Sequence, residues 1–310
     1  VHEGNVGAIP VPAADVVVDF GSLPLFAWMN DADWLKLNNS SPDRITTADM
    51  DGNGEDDVIA DFASTLGGIF VKYNLGGWTQ LANPASEQMT SGDLDNNGQD
   101  DVVIDAGAAG LFARMNNTSW LKLNNASPEQ VVVGDMDGNG ADDVIGDFGV
   151  DGIFVRRNLG GWVKLHNSNP EDMTIGNLDN AAGDDLVVDF GAGLALQALM
   201  NDSSWLKLHN DSPDVIATGD IDGNGADDVL AGFGTTLGGF WQKLNLGGWS
   251  QLNANSPDDL VTADVTGNGA DDIVAAFGST IGGLFIKRDQ GAWVEQIDTS
   301  PDSMAPGELD

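Results

Sequence analysis

The residues in this chain best suited to chemistry are oxygen-bearing side chains gathered into nine-residue stretches. The first is DMDGNGEDD, Asp49 to Asp57; close copies begin at Asp93, Asp135, Asp220 and Asp264, and a worn copy begins at Asn177. Successive starts lie 44, 42, 42, 43 and 44 residues apart. A loop with oxygen ligands at its first, third, fifth and ninth positions and glycine at its sixth can wrap a hard cation, and Ca²⁺ takes about six to eight such oxygens. In the first copy these are Asp49, Asp51, Asn53 and Asp57. Gly54 permits the tight turn that lets the carbonyl of Glu55 face inward, because glycine enters left-handed backbone without steric cost. Three carboxylates within nine residues repel one another unless a cation sits among them.

Four copies are complete. The second offers Asp93, Asp95, Asn97, the Gln99 carbonyl and Asp101, and the third Asp135, Asp137, Asn139, the Ala141 carbonyl and Asp143. The fourth offers Asp220, Asp222, Asn224, the Ala226 carbonyl and Asp228. At Asp264 the third position is Thr266, a neutral hydroxyl, while Asn268 and Asp272 remain, so a fifth, weaker site is expected there. The copy at Asn177 keeps Asp179 and Asp185 but has Ala181 and Ala182 where asparagine and glycine belong, and it is expected to be empty.

These loops must be held by short strands. From Asp15 the chain reads DVVVDF, LFAWMN, WLKLN and RITTAD, runs rich in β-branched and aromatic residues and bounded by Gly, Asn, Asp, Ser or Pro. Four such runs recur in each repeat, and no helix of useful length fits. Tryptophan supplies an independent register at positions 34, 78, 120, 162, 205, 249 and 293. Eight residues before each stands Phe26, Phe70, Phe112, Phe154, Gln197, Trp241 or Phe285, a ladder best explained as packing between neighbouring sheets. Trp28 breaks this phase and is expected to be exposed. The turn before each tryptophan alternates between NDAD-like and NLGG-like forms, as in MNDADW, YNLGGW and MNNTSW, which implies growth by duplication of a two-repeat unit.

A period of 40 to 45 residues with four strands is the pattern of a β-propeller. The ends set the blade count. Glu308 and Asp310 fall at the first and third positions of a loop whose ninth position is Asp15, so the seventh repeat is split between the termini. The expectation is an all-β, seven-bladed propeller over residues 15–310 after an N-terminal extension, 1–14. One blade is shared by 15–38 and 304–310, and its split loop, lacking a fifth-position ligand, is expected to be empty. Pro306 cannot donate a ladder hydrogen bond, which marks that blade as the weakest.

The loops, strands and period together resemble the FG-GAP and VCBS repeat families, on the motif D-x-D-x-N-G-x-D-D followed by an apolar strand and DFG, as in DMDGNGADDVIGDFG from Asp135 to Gly149. The resemblance covers nearly the whole chain from Asp15. It implies calcium held in the hairpin between the first two strands of a blade, at the aspartates and asparagines named above.

Bulk composition narrows the partners. The formal charge of −37 opposes nucleic acid and anionic membranes at long range. The seven loops hold 26 of the 49 acids; outside them 23 acids face 12 bases, so the acidity is chiefly that of the loops. With no cysteine, disulfides and thiolate chemistry are excluded. No apolar run approaches the roughly 20 residues of a membrane-spanning helix. The opening Val1, the lack of a leader-like segment and low-affinity calcium loops suit an extracellular, periplasmic or cell-surface setting.

Catalysis finds little support, since His2, His166 and His209 are the only histidines and no serine sits in a nucleophile-elbow context. Nine of the twelve bases share two strand positions: Lys72, Arg114, Arg156, Lys243 and Lys287 at one, Lys36, Lys122, Lys164 and Lys207 at the other. They read as solubilising charges paired with nearby carboxylates, or as a repeated pocket for an acidic or hydroxylated sugar. The function expected is that of a non-catalytic calcium-binding module for a glycan or a protein. The alternatives are an accessory propeller of a larger secreted enzyme or surface assembly and, third, a polysaccharide-acting enzyme.

Overall fold

The computed structural model describes residues 12–83, 85–278 and 281–310, except for the side chains of 235 and 236. His2 and most of the expected N-terminal extension lie outside the described residues. Seven four-stranded antiparallel sheets form a ring. Blade 2 shows the unit: an inner strand Arg44–Ala48, then Asp57–Asp61, Ile69–Lys72 and the outer strand Trp78–Ala82, each hydrogen-bonded to the next. Blades 3 to 7 repeat it over 88–124, 130–166, 172–207, 215–253 and 259–297. Blade 1 closes the ring. Its inner strand, Ser303–Gly307, pairs antiparallel with Asp15–Asp19, with Met304 opposite Val18 and Pro306 opposite Val16. Inner strands stand side by side in chain order, with 303–307 between 259–263 and 44–48.

Burial explains why these segments are strands. The second strand of every blade, such as DVIAD at Asp57–Asp61 or DVVID at Asp101–Asp105, is buried along its whole length, having one sheet face against each neighbouring blade. Outer strands alternate or lie open, as WTQLA of blade 2 does. Helical structure among the described residues is limited to single turns such as Gly149–Asp151 and Gly234–Gly238.

Aromatic rings pack most blades internally; blade 3, with Ala106 in place of the phenylalanine, is the exception among the described residues. Phe62 meets Trp78 edge-on at 5.3 Å, and Phe148–Trp162 and Phe277–Trp293 repeat the contact at 5.3 and 5.5 Å. Such pairs contribute about 1 kcal/mol each beyond the area they bury. Trp28 corrects the expectation of exposure: it is 8 % exposed and lies 5.0 Å from Trp34. Its partner across the strands is Trp34, as Lys72 faces Trp78 and Arg114 faces Trp120, so Trp28 fills the place that a cation takes over the ring elsewhere. Those cations also depart from the expected carboxylate pairing. Lys72, Lys243 and Lys287 donate to the carbonyls of Gly76, Gly247 and Gly291 in their own turns.

Two kinds of seam join the blades. Ahead of blades 2, 4 and 6 the turn carries a leucine (Leu75, Leu159, Leu246) that packs into the preceding blade's core beside a small residue, Ala27, Ala113 or Ala198. The tryptophan that follows donates to that blade, as Trp78 does to the Leu37 carbonyl at 3.1 Å. Ahead of blades 3, 5 and 1 the seam is polar: Asn117 to Tyr73, Arg157 to Asp202, and Arg288 to Asp31.

Candidate metal centres

Each nine-residue loop joins an inner strand to the second strand of its blade, at one end of the ring. In blade 4 the Asp135 carboxylate is fixed by the loop's own amides, accepting from Asn139 at 3.1 Å and Gly140 at 2.7 Å. Asn139 Oδ1 accepts from the Ala141 amide at 2.8 Å. Gly140 has φ of 90°, the left-handed turn that a side chain would oppose. The same bonds recur at Asp49, Asp93, Asp220 and Asp264, where the Gly54, Gly98, Gly225 and Gly269 amides are donors.

The ninth-position aspartates are 0 to 1 % exposed. One oxygen of each of Asp57, Asp101 and Asp143 is buried without a hydrogen-bond partner. Burial first, with nearby loop carboxylates adding to it, pushes Asp57, Asp101, Asp143 and Asp228 up to about 6. A buried, unpartnered carboxylate oxygen facing other carboxylates suits a cation. Oxygens of Asp135, Asp137 and Asp143 come within 4.8 Å of one another, as do those of Asp220, Asp222 and Asp228. These two triads could hold a metal ion. The loops at Asp49 and Asp93 share the framework but do not draw their three carboxylates that close.

The degenerate copies differ in chemistry. Asn177 turns its amide back on its own loop, Nδ2 donating to the Ala181 carbonyl at 2.7 Å, where a cation would otherwise bind the oxygens. Thr266 accepts from Asn268 Nδ2 at 2.7 Å through its hydroxyl. In the split loop Asp15 is shared by both termini, accepting from Asn30 at 2.7 Å and Leu309 at 3.1 Å.

Two sets of residues escaped the sequence reading. The first is the asparagine in the turn before each tryptophan. The Asn158 amide donates to Asp143 Oδ1 at 3.0 Å while its side chain donates to Asp137 Oδ2 at 2.9 Å, joining both carboxylates from the neighbouring hairpin. Asn74, Asn116, Asn201 and Asn245 repeat this, and Asp289 keeps the backbone bond. The available signal was the asparagine common to turns that otherwise alternate.

The second set is the eighth loop residue, the first acid of each Asp-Asp pair. Asp100 Oδ2 accepts the Asp49 amide at 3.0 Å, and the Asp100 amide donates to the Asp49 carbonyl at 2.9 Å, fastening blade 3 to blade 2. Asp56, Asp142, Asp184, Asp227 and Asp271 repeat this reciprocal pair. At the seventh junction Ala14 stands in the carboxylate's place, and only the backbone bond to Asp264 remains, at 2.8 Å. Desolvation, then neighbouring carboxylates, raise Asp142 to about 7 and Asp56 and Asp271 to about 6.

No protein-family model and no curated protein sequence matches the chain. Solved structures do. The chain is similar over 96 % of both lengths, at TM-score 0.71 and 16 % identity, to an Agrocybe aegerita lectin described for recognition of non-reducing terminal N-acetylglucosamine. It is also similar to BBS1N from its complex with ARL6DN, at TM-score 0.58 and 12 % identity over 88 % of this chain and 90 % of that one. At these identities the likeness is one of fold: a propeller.

Proposed function

We propose that this chain is a non-catalytic, calcium-stabilised propeller of the FG-GAP/VCBS type that binds saccharide outside the cell, in clefts between its blades. The observation that carries the reading is a cavity of about 300 Å³ between blades 3 and 4. Its floor is aromatic, Phe148, Phe154 and Trp162, and its wall is polar, Asn124, Ser127 and Asp151. Ring faces that accept the C–H surface of a sugar, beside a few placed polar groups, are what saccharide recognition needs. Ser127 is held in place by its bond to Asp105, at 2.6 Å. The lectin's specificity for a terminal sugar on a similar ring supports the reading. Calcium would sit at the opposite end of the blades from this cavity, so its part is to stabilise the ring. The carboxylates of the metal loops and blade junctions have roles of their own, which supports a reading without catalysis, and Asp151 in the cavity serves as an acceptor for sugar hydroxyls.

A glycan microarray probed in calcium tests this: selective binding is expected, falling after EGTA as the ring loosens, and a blank array would sink it. One observation favours a protein partner instead. The cavity end of the ring bears exposed aliphatic side chains, among them Leu66 at 51 %, Ile281 at 51 % and Val150 at 93 %. A blank array beside a specific pull-down would move the assignment there.

A further inference from the structure

The seven junctions are not equivalent, and two variables sort them. The first is the loop between the second and third strands. In blades 2, 6 and 7 it has six residues (63–68, 234–239, 278–283), and the phenylalanine before it, Phe62, Phe233 or Phe277, is 0 % exposed. Gln80 on the outer strand of blade 2 holds such a loop by donating to the Gly67 carbonyl at 3.0 Å; Gln251 and Glu295 occupy the same register in blades 6 and 7. Blades 1, 3, 4 and 5 have loops of four or five residues, and at that register stand Lys36, Lys122, Lys164 and Lys207.

The second variable is the last residue of the preceding blade's outer strand. Ahead of blade 5 it is His166, whose ring lies 4.5 Å from Phe190 and 5.2 Å from Trp205 and so occupies the space over both. Ahead of blade 1 it is Ile297, packed into the core cluster that includes Phe20 and Trp34. Ahead of blades 3 and 4 it is Ala82 and Asn124, and there cavities of about 330 and 300 Å³ open. In the first of these Trp120 is 41 % exposed.

We infer that saccharide binding, on the reading above, is confined to the two adjoining junctions ahead of blades 3 and 4, and that the residue at positions 82, 124 and 166 is the gate. The ligand is a neutral pyranose stacked at Trp120 or Trp162. A lysine over a lining phenylalanine of each cavity is the ammonium donor to its hydroxyls, Lys122 lying 5.2 Å over Phe112 and Lys164 5.0 Å over Phe154. An anionic sugar is disfavoured by the field of a chain with net charge −37.

Fluorine NMR of the whole chain labelled with 5-fluorotryptophan, in calcium, tests this with N-acetylglucosamine as the probe. The resonances of Trp120 and Trp162 should move and the others stay. Asn124→His should abolish the Trp162 response while sparing that of Trp120, and His166→Asn should recruit Trp205. A response at Trp78, Trp249 or Trp293, or one at Trp162 that survives Asn124→His, overturns the inference. The D₂O-induced shift separates the two readings without any sugar. If no tryptophan answers the probe, yet Asn124→His still dries Trp162 and His166→Asn still wets Trp205, the gate stands and the saccharide reading has failed. If neither shift changes, the gate itself is refuted.

Discussion

Asp143 is asked to do opposite things with and without a cation. It is fully buried, one of its oxygens lacks a donor, and its pKa is pushed up to about 6, so without metal its charge costs stability. Asp143→Asn should therefore raise the melting temperature in EGTA and lower it in calcium, by about 1 kcal/mol in each direction. Paired melts would show it; a loss in both solutions would mean that Asp143 serves packing alone. The pH dependence has the same origin. Asp57, Asp101, Asp143 and Asp228 at about 6 and Asp142 at about 7 all lie above the ordinary aspartate value of 3.8. Across that window the folded chain binds more protons than the unfolded chain, so its stability falls as pH rises from about 4 through about 7. The metal-free protein should melt higher at pH 5 than at pH 7, and calcium, which competes with those protons, should reverse the order. Equal slopes in both solutions would refute the linkage.

Hairpins, rather than the loops alone, build the candidate metal centres. Asn158 has φ of 50° and makes three contacts to its neighbouring loop, so Asn158→Gly keeps the turn and the backbone bond to Asp143 while deleting the side-chain carboxamide. Calcium affinity at that site should fall roughly tenfold, as read by calorimetry against the unchanged loop at Asp220; an unaltered affinity would reduce Asn158 to a turn residue. At this scale most of the strands were legible, because short β-branched runs between turn residues repeat at a near-constant period. What the sequence hid was anything defined by a partner across a gap. The Asp-Asp doublet looks like loop acidity until Asp100 is seen fastening Asp49, and Trp28 looks out of phase until it is seen in the place of a lysine. The worn loop was recognisable from Ala181 and Ala182, but the amide of Asn177 turning inward was not.

At the scale of the ring, four sites bound about tenfold below ambient calcium would each contribute roughly 1.4 kcal/mol. A total near 6 kcal/mol is comparable to the whole margin of an ordinary domain. Chelation should thus lower the melting temperature sharply, and scanning calorimetry showing no change with EGTA would dispose of a stabilising role for the ion. The split blade was readable from the two half-loops at the termini, and in the structure Pro306 keeps its register opposite Val16. The gap in the ring of clasps, the missing carboxylate at Ala14, needed the other six junctions for comparison. Ala14→Asp should complete the clasp to Asp264 and, in calcium, gain about 1 kcal/mol in chemical denaturation; a loss would show that the acid is unwelcome there.

The two kinds of seam also carry a counting rule. Leucine-type and polar seams can alternate without conflict only around an even number of blades, and this ring has seven. The conflict falls between blades 6 and 7, where two turns of the glycine-rich kind follow one another. There Gln242 replaces the small or aliphatic core residue of the other seams, reaching Gln290 at 3.3 Å and leaving its own buried oxygen unmet. Parity thus singles out one seam as the place where a blade could be subtracted and the six that remain would match all the way round.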